Sequence, residues 1–204
     1  MSFTNGIRLY LRREIEARER QKNQGWRTMT KGRDGTVSVT RRIEAPVDEV
    51  FARLIDPSRH PSFDGSGMLR DGSGNKPVTA IGDVFTMKMY NDEMGDYEMR
   101  NYVVEFLFNR RIVWEPEMSA ASRIEDLGDI GNRAGHRWGY ELESEGPNAT
   151  IVTEIFDCTQ APEELRAAID NGNRWLASMT ATLERLDELI GIAKSQSGPI
   201  ASDA

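Results

Sequence analysis

Apolar and polar residues alternate from Val37 onward, which is the pattern of a β-strand with one buried face. The strand reaches Ala45–Pro46, and apolar residues then recur at helical spacing as far as Leu54. Because proline is well tolerated in the first turn of a helix, the pattern predicts a short helix directly after the strand. Asp56–Pro57 ends this helix, since the residue before a proline avoids the helical conformation.

Alternation returns in later segments of the chain, centred on Met87, Phe106, Trp114, Trp138 and Phe156. Turn-forming residues separate neighbouring segments, as Gly146–Pro147–Asn148 does before the last of them. The tetrapeptide Asp-Gly-Ser-Gly occurs twice, at 64–67 and 71–74, and we interpret both copies as turns that flank a short strand. The middle of the chain is therefore predicted to form about six antiparallel strands.

A long terminal helix is predicted from about Pro162 to Ala193, with Asn171–Gly172–Asn173 interrupting its middle. Proline followed by two glutamates is a strong helix start, and an apolar stripe then recurs at spacings of three and four residues from Leu176 to Ile190. Gly172 falls on the same stripe and leaves the face turned towards the core locally bare. The tail at 194–204 is predicted to be disordered.

These elements give an α+β order: a strand, a short helix, a run of antiparallel strands and one long helix. Two-layer packing requires the long helix to lie across the concave face of a curved sheet. Over about residues 36–192 this order is carried by the segments VTRRIEAPVDEVFARLIDPSRHPSFDGSG, IGDVFTMKM, VVEFLFNRRIVWEPE, GHRWGYELE, ATIVTEIFD and LERLDELIG. In the order and spacing of these segments the chain resembles the SRPBCC superfamily (START-like, polyketide cyclase/dehydrase and lipid-transport proteins).

The resemblance implies a helix-grip domain over residues 35–193, in which about six or seven strands wrap around the terminal helix. It implies function less closely, because the superfamily contains cyclases, hydrolases, lipid carriers and hormone receptors.

One face of the predicted sheet carries large aromatic and methionine side chains. By alternation these inward residues are Phe85, Met87, Tyr102, Trp114, Trp138 and Tyr140. They either fill the core beneath the helix or line an apolar cavity, to whose irregular shape methionine adapts well. With Gly172 opposite them, and with a cavity as the binding site of the resembled superfamily, we expect these residues to bind a ligand.

Three polar side chains are candidates for chemistry inside such a cavity. Glu154 alternates with Val152 and Phe156, so its carboxyl is predicted to point inward, where burial raises the pKa and suits proton transfer. A shift of one residue would instead turn Glu154 to solvent. His136 shares a face with Trp138, and His60 is expected near the cavity mouth; the alternatives are a structural histidine and an exposed loop residue.

Neither a metal nor another cofactor is expected. His60, His136 and Cys158 form no H-E-x-x-H or C-x-x-C pattern, and the G-x-S-x-G motif of serine hydrolases is absent.

Charge separates a basic arm and linker, residues 1–34, from an acidic body. Residues 1–33 contain nine Lys or Arg and three Glu, whereas the whole chain has a net charge of −7, so the body is not expected to bind nucleic acid. The pattern of apolar and charged residues in the arm predicts a helix over Ile7–Asn23. This helix is expected to lie on its own domain, on a partner subunit in a homodimer, or weakly on a membrane surface. A single cysteine and the lack of a transmembrane or signal segment favour the cytoplasm.

Three functional hypotheses follow. The domain binds a hydrophobic, polyketide- or lipid-like molecule and acts as a cofactor-free cyclase or dehydratase through Glu154 or His136. Alternatively it carries such a molecule without chemistry, or it is an interaction module that docks through the N-terminal arm. A polar pair within hydrogen-bond reach inside the cavity would favour the enzyme.

Overall fold

Eight antiparallel strands form one curved sheet in the computed structural model of the chain, which describes residues 26–30, 34–119 and 133–196. The strands are β1 (Trp26–Thr30), β2 (Thr36–Ile43), β3 (Leu69–Asp71), β4 (Val84–Asn91), β5 (Gly95–Leu107), β6 (Arg111–Met118), β7 (Arg137–Ser144) and β8 (Thr150–Asp157). Their spatial order is β1-β2-β8-β7-β6-β5-β4-β3, so sequential hairpins build most of the sheet and β2 pairs with β8.

Three helices accompany the sheet: α1 (Val47–Leu54), α2 (Glu163–Ala168) and α3 (Leu176–Gln196). Short 3₁₀ turns at His60–Ser62 and Asp170–Trp175 precede β3 and α3. The α3 helix buries its stripe, including Met179, Leu183 and Leu186, against the sheet, and an ion pair between Arg41 and Asp187 (2.7 Å) joins it to β2. The predicted α+β helix-grip fold is confirmed.

The sheet extends further towards the N-terminus than the sequence predicted. We assigned residues 1–34 to the arm and linker, but Trp26–Thr30 pairs with β2, from Trp26 opposite Arg41 to Thr30 opposite Ser38. With this strand and the short β3, the sheet has eight strands. The predicted helix over residues 7–23 lies outside the described residues, as does the tail beyond Gln196.

The terminal helical segment is interrupted where the sequence indicated, at Asn171–Gly172, and the interruption separates α2 from α3, so the long continuous helix begins at Leu176 rather than at Pro162. Asp170, Asn171 and Gly172 have φ angles of 49°, 50° and 90°, which end α2 and turn the chain before α3 begins at Leu176. Asparagine and glycine tolerate this left-handed conformation better than other residues do. The apolar stripe therefore continues across a bend that its spacing does not reveal.

A bulge in β5 changes which side chains face the core. The pairing with β6 shifts between Val103 and Glu105, so one extra residue is accommodated and the alternation is offset on its two sides. Phe106 packs on the core after the bulge, whereas Tyr97, Asn101 and Val103 are the buried residues before it.

Both Asp-Gly-Ser-Gly copies build the same turn. The carboxylates of Asp64 and Asp71 accept hydrogen bonds from the backbone N–H groups of Ser66 (3.1 Å) and Ser73 (2.7 Å). In each copy the first glycine lies directly on another backbone: Gly65 on α3, and Gly72 on the carbonyl of Pro57. The second glycine of each copy has a positive φ angle. The predicted turns and the short strand between them are present.

Candidate functional site

A cavity of about 230 Å³ lies between the sheet and α3. Its wall is mainly apolar, and β4 to β8 each contribute inward side chains to it. Five lining residues are methionines, namely Met68, Met87, Met89, Met99 and Met179. Six more are aromatic, namely Phe63, Tyr97, Trp114, Trp138, Tyr140 and Trp175.

Aromatic rings pack against one another around this cavity, in tilted and edge-to-face arrangements that fix its shape. Trp114 of β6 contacts the rings of Tyr140 and His60, with centroids 5.9 and 6.1 Å away. At the other end Trp138 contacts Trp175 at 5.9 Å. Contacts of this kind stabilise a wall beyond the area that the rings bury. Together they form a preorganised apolar surface on the concave face of the sheet.

Most of the predicted site residues come together at this cavity. His60, Met87, Trp114, His136, Trp138, Tyr140 and Glu154 all line it. Phe85 is buried behind them, with its ring 5.6 Å from that of Trp114, and is not itself a lining residue.

Tyr102 lies on the opposite face of the sheet, so its predicted inward orientation is wrong. Its hydroxyl donates a hydrogen bond to Glu117 (2.6 Å), and its ring stacks under the guanidinium of Arg133. The β5 bulge is the cause. Phe106 points inward, but the extra residue at the bulge reverses the alternation, so Tyr102, four residues earlier, points outward. Asn101 occupies the inward position instead.

We predicted that Gly172 would open space in the cavity wall. It is buried, but it does not open such space. A Cβ atom at this position would lie 2.8 Å from Cδ1 of Phe156 and 3.2 Å from Cγ2 of Val37. The glycine therefore permits close packing of the Asp170–Trp175 turn on the sheet, and the cavity is lined further along by α3.

Glu154 points into the core between β2 and β7, and among the described residues it is the one buried Asp or Glu. The hydroxyl of Tyr140, directly opposite on β7, donates a long hydrogen bond to Oε1 (3.5 Å), while Oε2 is buried without a partner. Burial raises the pKa of Glu154 well above its usual value, and the nearby charge of Asp64 raises it further. Burial therefore favours the protonated, uncharged form of this carboxyl.

Both histidines are uncharged at neutral pH because burial lowers their pKa values, that of His136 to about 4. Nε2 of His60 donates a hydrogen bond to the carbonyl of Leu54 (2.8 Å), which leaves Nδ1 as an acceptor. His136 stacks on Phe156 with centroids 5.9 Å apart, and its Nδ1 is buried without a partner. His60 is thus a core residue behind the 64–67 turn rather than an exposed loop residue.

The 64–67 turn forms one rim of the cavity. Thr182 of α3 accepts a hydrogen bond from the N–H of Gly65 (2.9 Å), and Arg185 donates one to the carbonyl of Asp64. Ser66 is exposed and also lines the cavity, so the cavity reaches the surface beside this turn.

Sequence patterns missed several lining residues. Asp64 and Ser66 sit in a turn that we interpreted only as a connection, and Trp175 precedes the helical stripe. A turn that packs on a helix at Gly65 has no periodic pattern, so nothing in the sequence predicts its side chains at a cavity.

In the part of the chain that the structure describes, no three His, Cys, Asp or Glu side chains converge as a metal site requires. Within the same residues, no helix combines the length and apolar character needed to cross a bilayer.

Comparison with known proteins finds relatives in sequence and in fold. No family model matches the chain. The uncharacterized proteins MT0096 and Rv0088 of Mycobacterium tuberculosis are each 31% identical to it over 169 residues, which is 81% of this chain. The match covers 59% of each relative, so the chain spans about three fifths of the length of these curated relatives.

Solved structures with low sequence identity resemble the whole domain. A protein from Arthrobacter aurescens has a TM-score of 0.61 at 13% identity, over 81% of this chain and 91% of its own. NE0264 from Nitrosomonas europaea has a TM-score of 0.58 at 14% identity, over 81% and 99%. The chain shares their fold. At these identities the likeness concerns the fold alone.

Proposed function

We propose that the domain binds a hydrophobic or aromatic small molecule in the cavity between the sheet and α3. The supporting observation is the cavity itself, about 230 Å³ walled by methionine and aromatic side chains. Protein cores hold few voids larger than a water molecule, and an unfilled cavity costs about 24 cal/mol per Å³. A persistent apolar space with a few polar groups is the usual form of a small-molecule site.

The size of the cavity favours a compact ligand. Pockets for drug-sized molecules span about 300–1,000 Å³, and this cavity lies just below that range. Flat indole and phenol rings on its wall suit a planar aromatic or polyketide-like compound better than a long lipid chain.

Binding of N-phenyl-1-naphthylamine, an uncharged apolar fluorophore, tests this proposal. Three tryptophans line the cavity, so a bound fluorophore should quench their emission and gain its own in a saturable way. Ser178→Phe adds a ring to the cavity wall and should weaken binding by about tenfold or more.

Ala177→Phe is the matched control, because Ala177 is the exposed neighbour on the same helix and should leave binding unchanged. Non-saturable emission, or equal binding by wild type and Ser178→Phe, would contradict the proposal. Native mass spectrometry of freshly purified protein would also detect a compound that co-purifies.

A second candidate function is proton-transfer catalysis by a cofactor-free cyclase or dehydratase. The observation that favours it over a carrier is the Tyr140–Glu154 pair inside the cavity, at 3.5 Å. A protonated Glu154 can donate its proton to a ligand carbonyl oxygen, while neutral His136 accepts one from the adjacent carbon. The product of these two transfers is an enol, the species from which ring closure or loss of water proceeds.

Deuterium exchange distinguishes an enzyme from a carrier. In D₂O, enolisation of 2-acetylnaphthalene replaces methyl protons by deuterium, which mass spectrometry measures. A catalyst should accelerate this exchange above the rate in buffer, and Glu154→Gln should lower the acceleration by about 10²–10⁴-fold while binding persists. If the ketone binds but exchanges deuterium only at the rate seen in buffer, the enzyme hypothesis fails and the carrier hypothesis remains.

A further inference from the structure

Three buried polar atoms without partners belong to residues that line the cavity. They are Oε2 of Glu154, Nδ1 of His136 and Nε1 of Trp175. Polar atoms in protein interiors are nearly always hydrogen-bonded, so each unpaired one requires an explanation. Because all three residues line the same cavity, their unpaired atoms point to polar groups on a ligand.

The cavity wall carries acidic groups and no basic ones. Asp64 and Glu154 line it, whereas no lysine or arginine does among the residues that the structure describes. His60 and His136 are neutral, since burial lowers the pKa of each. An anionic ligand would therefore lose its hydration without gaining an opposite charge, which is strongly unfavourable in a buried site.

The geometry around Glu154 gives its carboxyl one defined role. Oε1 already accepts the hydrogen bond from Tyr140, so Oε2 is the oxygen left to interact with a ligand. A protonated carboxyl carries one O–H donor, which requires an acceptor such as a carbonyl oxygen. Trp175 Nε1 is a donor only and suits a second oxygen of the same molecule.

We propose that the ligand is an uncharged aromatic compound whose carbonyl oxygen accepts a hydrogen bond from Oε2 of Glu154, and that the cavity rejects carboxylates of the same shape. This inference rests on the proposed binding function and names the class of molecule that the site takes.

Four naphthalenes of similar shape test the inference: 2-acetylnaphthalene, 2-ethylnaphthalene, 2-naphthoate and 2-(aminomethyl)naphthalene. Each is titrated against the full chain by tryptophan quenching. The ketone should bind about tenfold more tightly than the hydrocarbon, because it pairs the buried carboxyl. The naphthoate anion should bind at least about 100-fold more weakly than the ketone.

Binding of the ketone should also depend on pH. It requires protonated Glu154, whose pKa is raised, so affinity should be constant in mild acid and fall as pH rises through that pKa. The titratable groups that line the cavity with Glu154 are Asp64, Tyr140 and the two histidines. On β2, Arg41 lies two residues from Val39, the partner of Glu154, and is ion-paired with Asp187 of α3. Tyr140 has a raised pKa and the histidines lowered ones, so none of these three changes charge in the neutral range.

Variants separate the hydrogen bond from the fold. Glu154→Gln retains an N–H donor at equal volume, so the ketone should still bind and its pH dependence should disappear. Glu154→Leu should reduce the preference for ketone over hydrocarbon to about twofold or less while the hydrocarbon still binds. Glu188→Gln, on an exposed position of α3, should match wild type throughout.

The outcomes are distinct. Equal binding of ketone and hydrocarbon, or tightest binding of the naphthoate, overturns the inference while the proposed function stands. Tightest binding of the amine, strengthening as pH rises, also overturns it, because the site would then pair an ionised Glu154 with a cation. If none of the four compounds binds, both the function and the inference fail.

Discussion

At the scale of single residues, Gly172 couples backbone conformation to packing. Its φ angle of 90° is one that side-chain-bearing residues rarely adopt, and its α-carbon lies against the rings and methyl groups of Phe156 and Val37. Two independent requirements therefore select glycine here, one from the turn before α3 and the other from contact with the sheet.

Gly172→Ala should lower the free energy of unfolding by about 2–4 kcal/mol, since the left-handed backbone and the contact with Phe156 each disfavour a Cβ atom. Gly191→Ala is the control: Gly191 is exposed within α3 and has open space around its α-carbon. It should raise the free energy of unfolding by about 0.5–1 kcal/mol. Urea denaturation measures the free energy of unfolding of both variants. Equal changes in the two variants would show that Gly172 is not required for the turn and its contact with the sheet.

Single residues also show where the alternation of apolar and polar residues is enough to predict the direction of a side chain. Glu154 was placed correctly, because β8 is regular and alternation around Val152 and Phe156 fixes its inward direction. Tyr102 was misplaced, because a bulge adds one residue to β5 without any change in residue type that marks it. The polar lining of the cavity is consequently predictable on β8 and unpredictable on β5.

At the scale of secondary-structure elements, β1 forms one edge of the sheet beside β2. An unpaired edge strand exposes backbone N–H and C=O groups that can pair with another chain. By pairing with β2, β1 satisfies these groups along that strand. Among the described residues the sheet therefore begins at Trp26, ahead of the boundary predicted near residue 35.

Two truncations test this boundary. Deletion of residues 1–25 should leave a cooperative unfolding transition of similar midpoint, since all eight strands remain. Deletion of residues 1–31 removes β1 and should lower the midpoint and promote self-association through the exposed edge of β2. Thermal denaturation and size-exclusion chromatography report these effects. An identical midpoint and elution volume for both truncations would show that β1 does not stabilise the sheet.

Elements with a strong periodic pattern were predictable, and those defined by contacts were not. Strands β4 to β8 follow from alternation, and α1 follows from its apolar spacing after Pro46. The break between α2 and α3 depends on three consecutive left-handed residues, and β1 depends on pairing with β2. Neither leaves a repeating pattern in the sequence.

At the scale of the whole molecule, element order was enough to predict the helix-grip architecture. Solved proteins with 13–14% identity have the same fold, so few particular residues are needed to specify it. The cavity depends on individual side chains. Those that β4 to β8 and α3 direct inward determine its volume and its polarity. Architecture is thus the more predictable property, and ligand chemistry requires the packed structure.

The pairing of β2 with β8 has a consequence for how the chain is made. The side-chain hydroxyls of Thr40 and Thr153 form a hydrogen bond, although 113 positions in the sequence separate the two residues. A ribosome releases β2 long before β8 and then α3, both of which pack against β2. The hairpins of β4 to β7 can pair as they appear, but β2 must wait, because long-range pairing carries a high loop-closure entropy. Its apolar face therefore stays unprotected until β8 and α3 have been synthesised, and that interval is when a nascent chain most needs a chaperone.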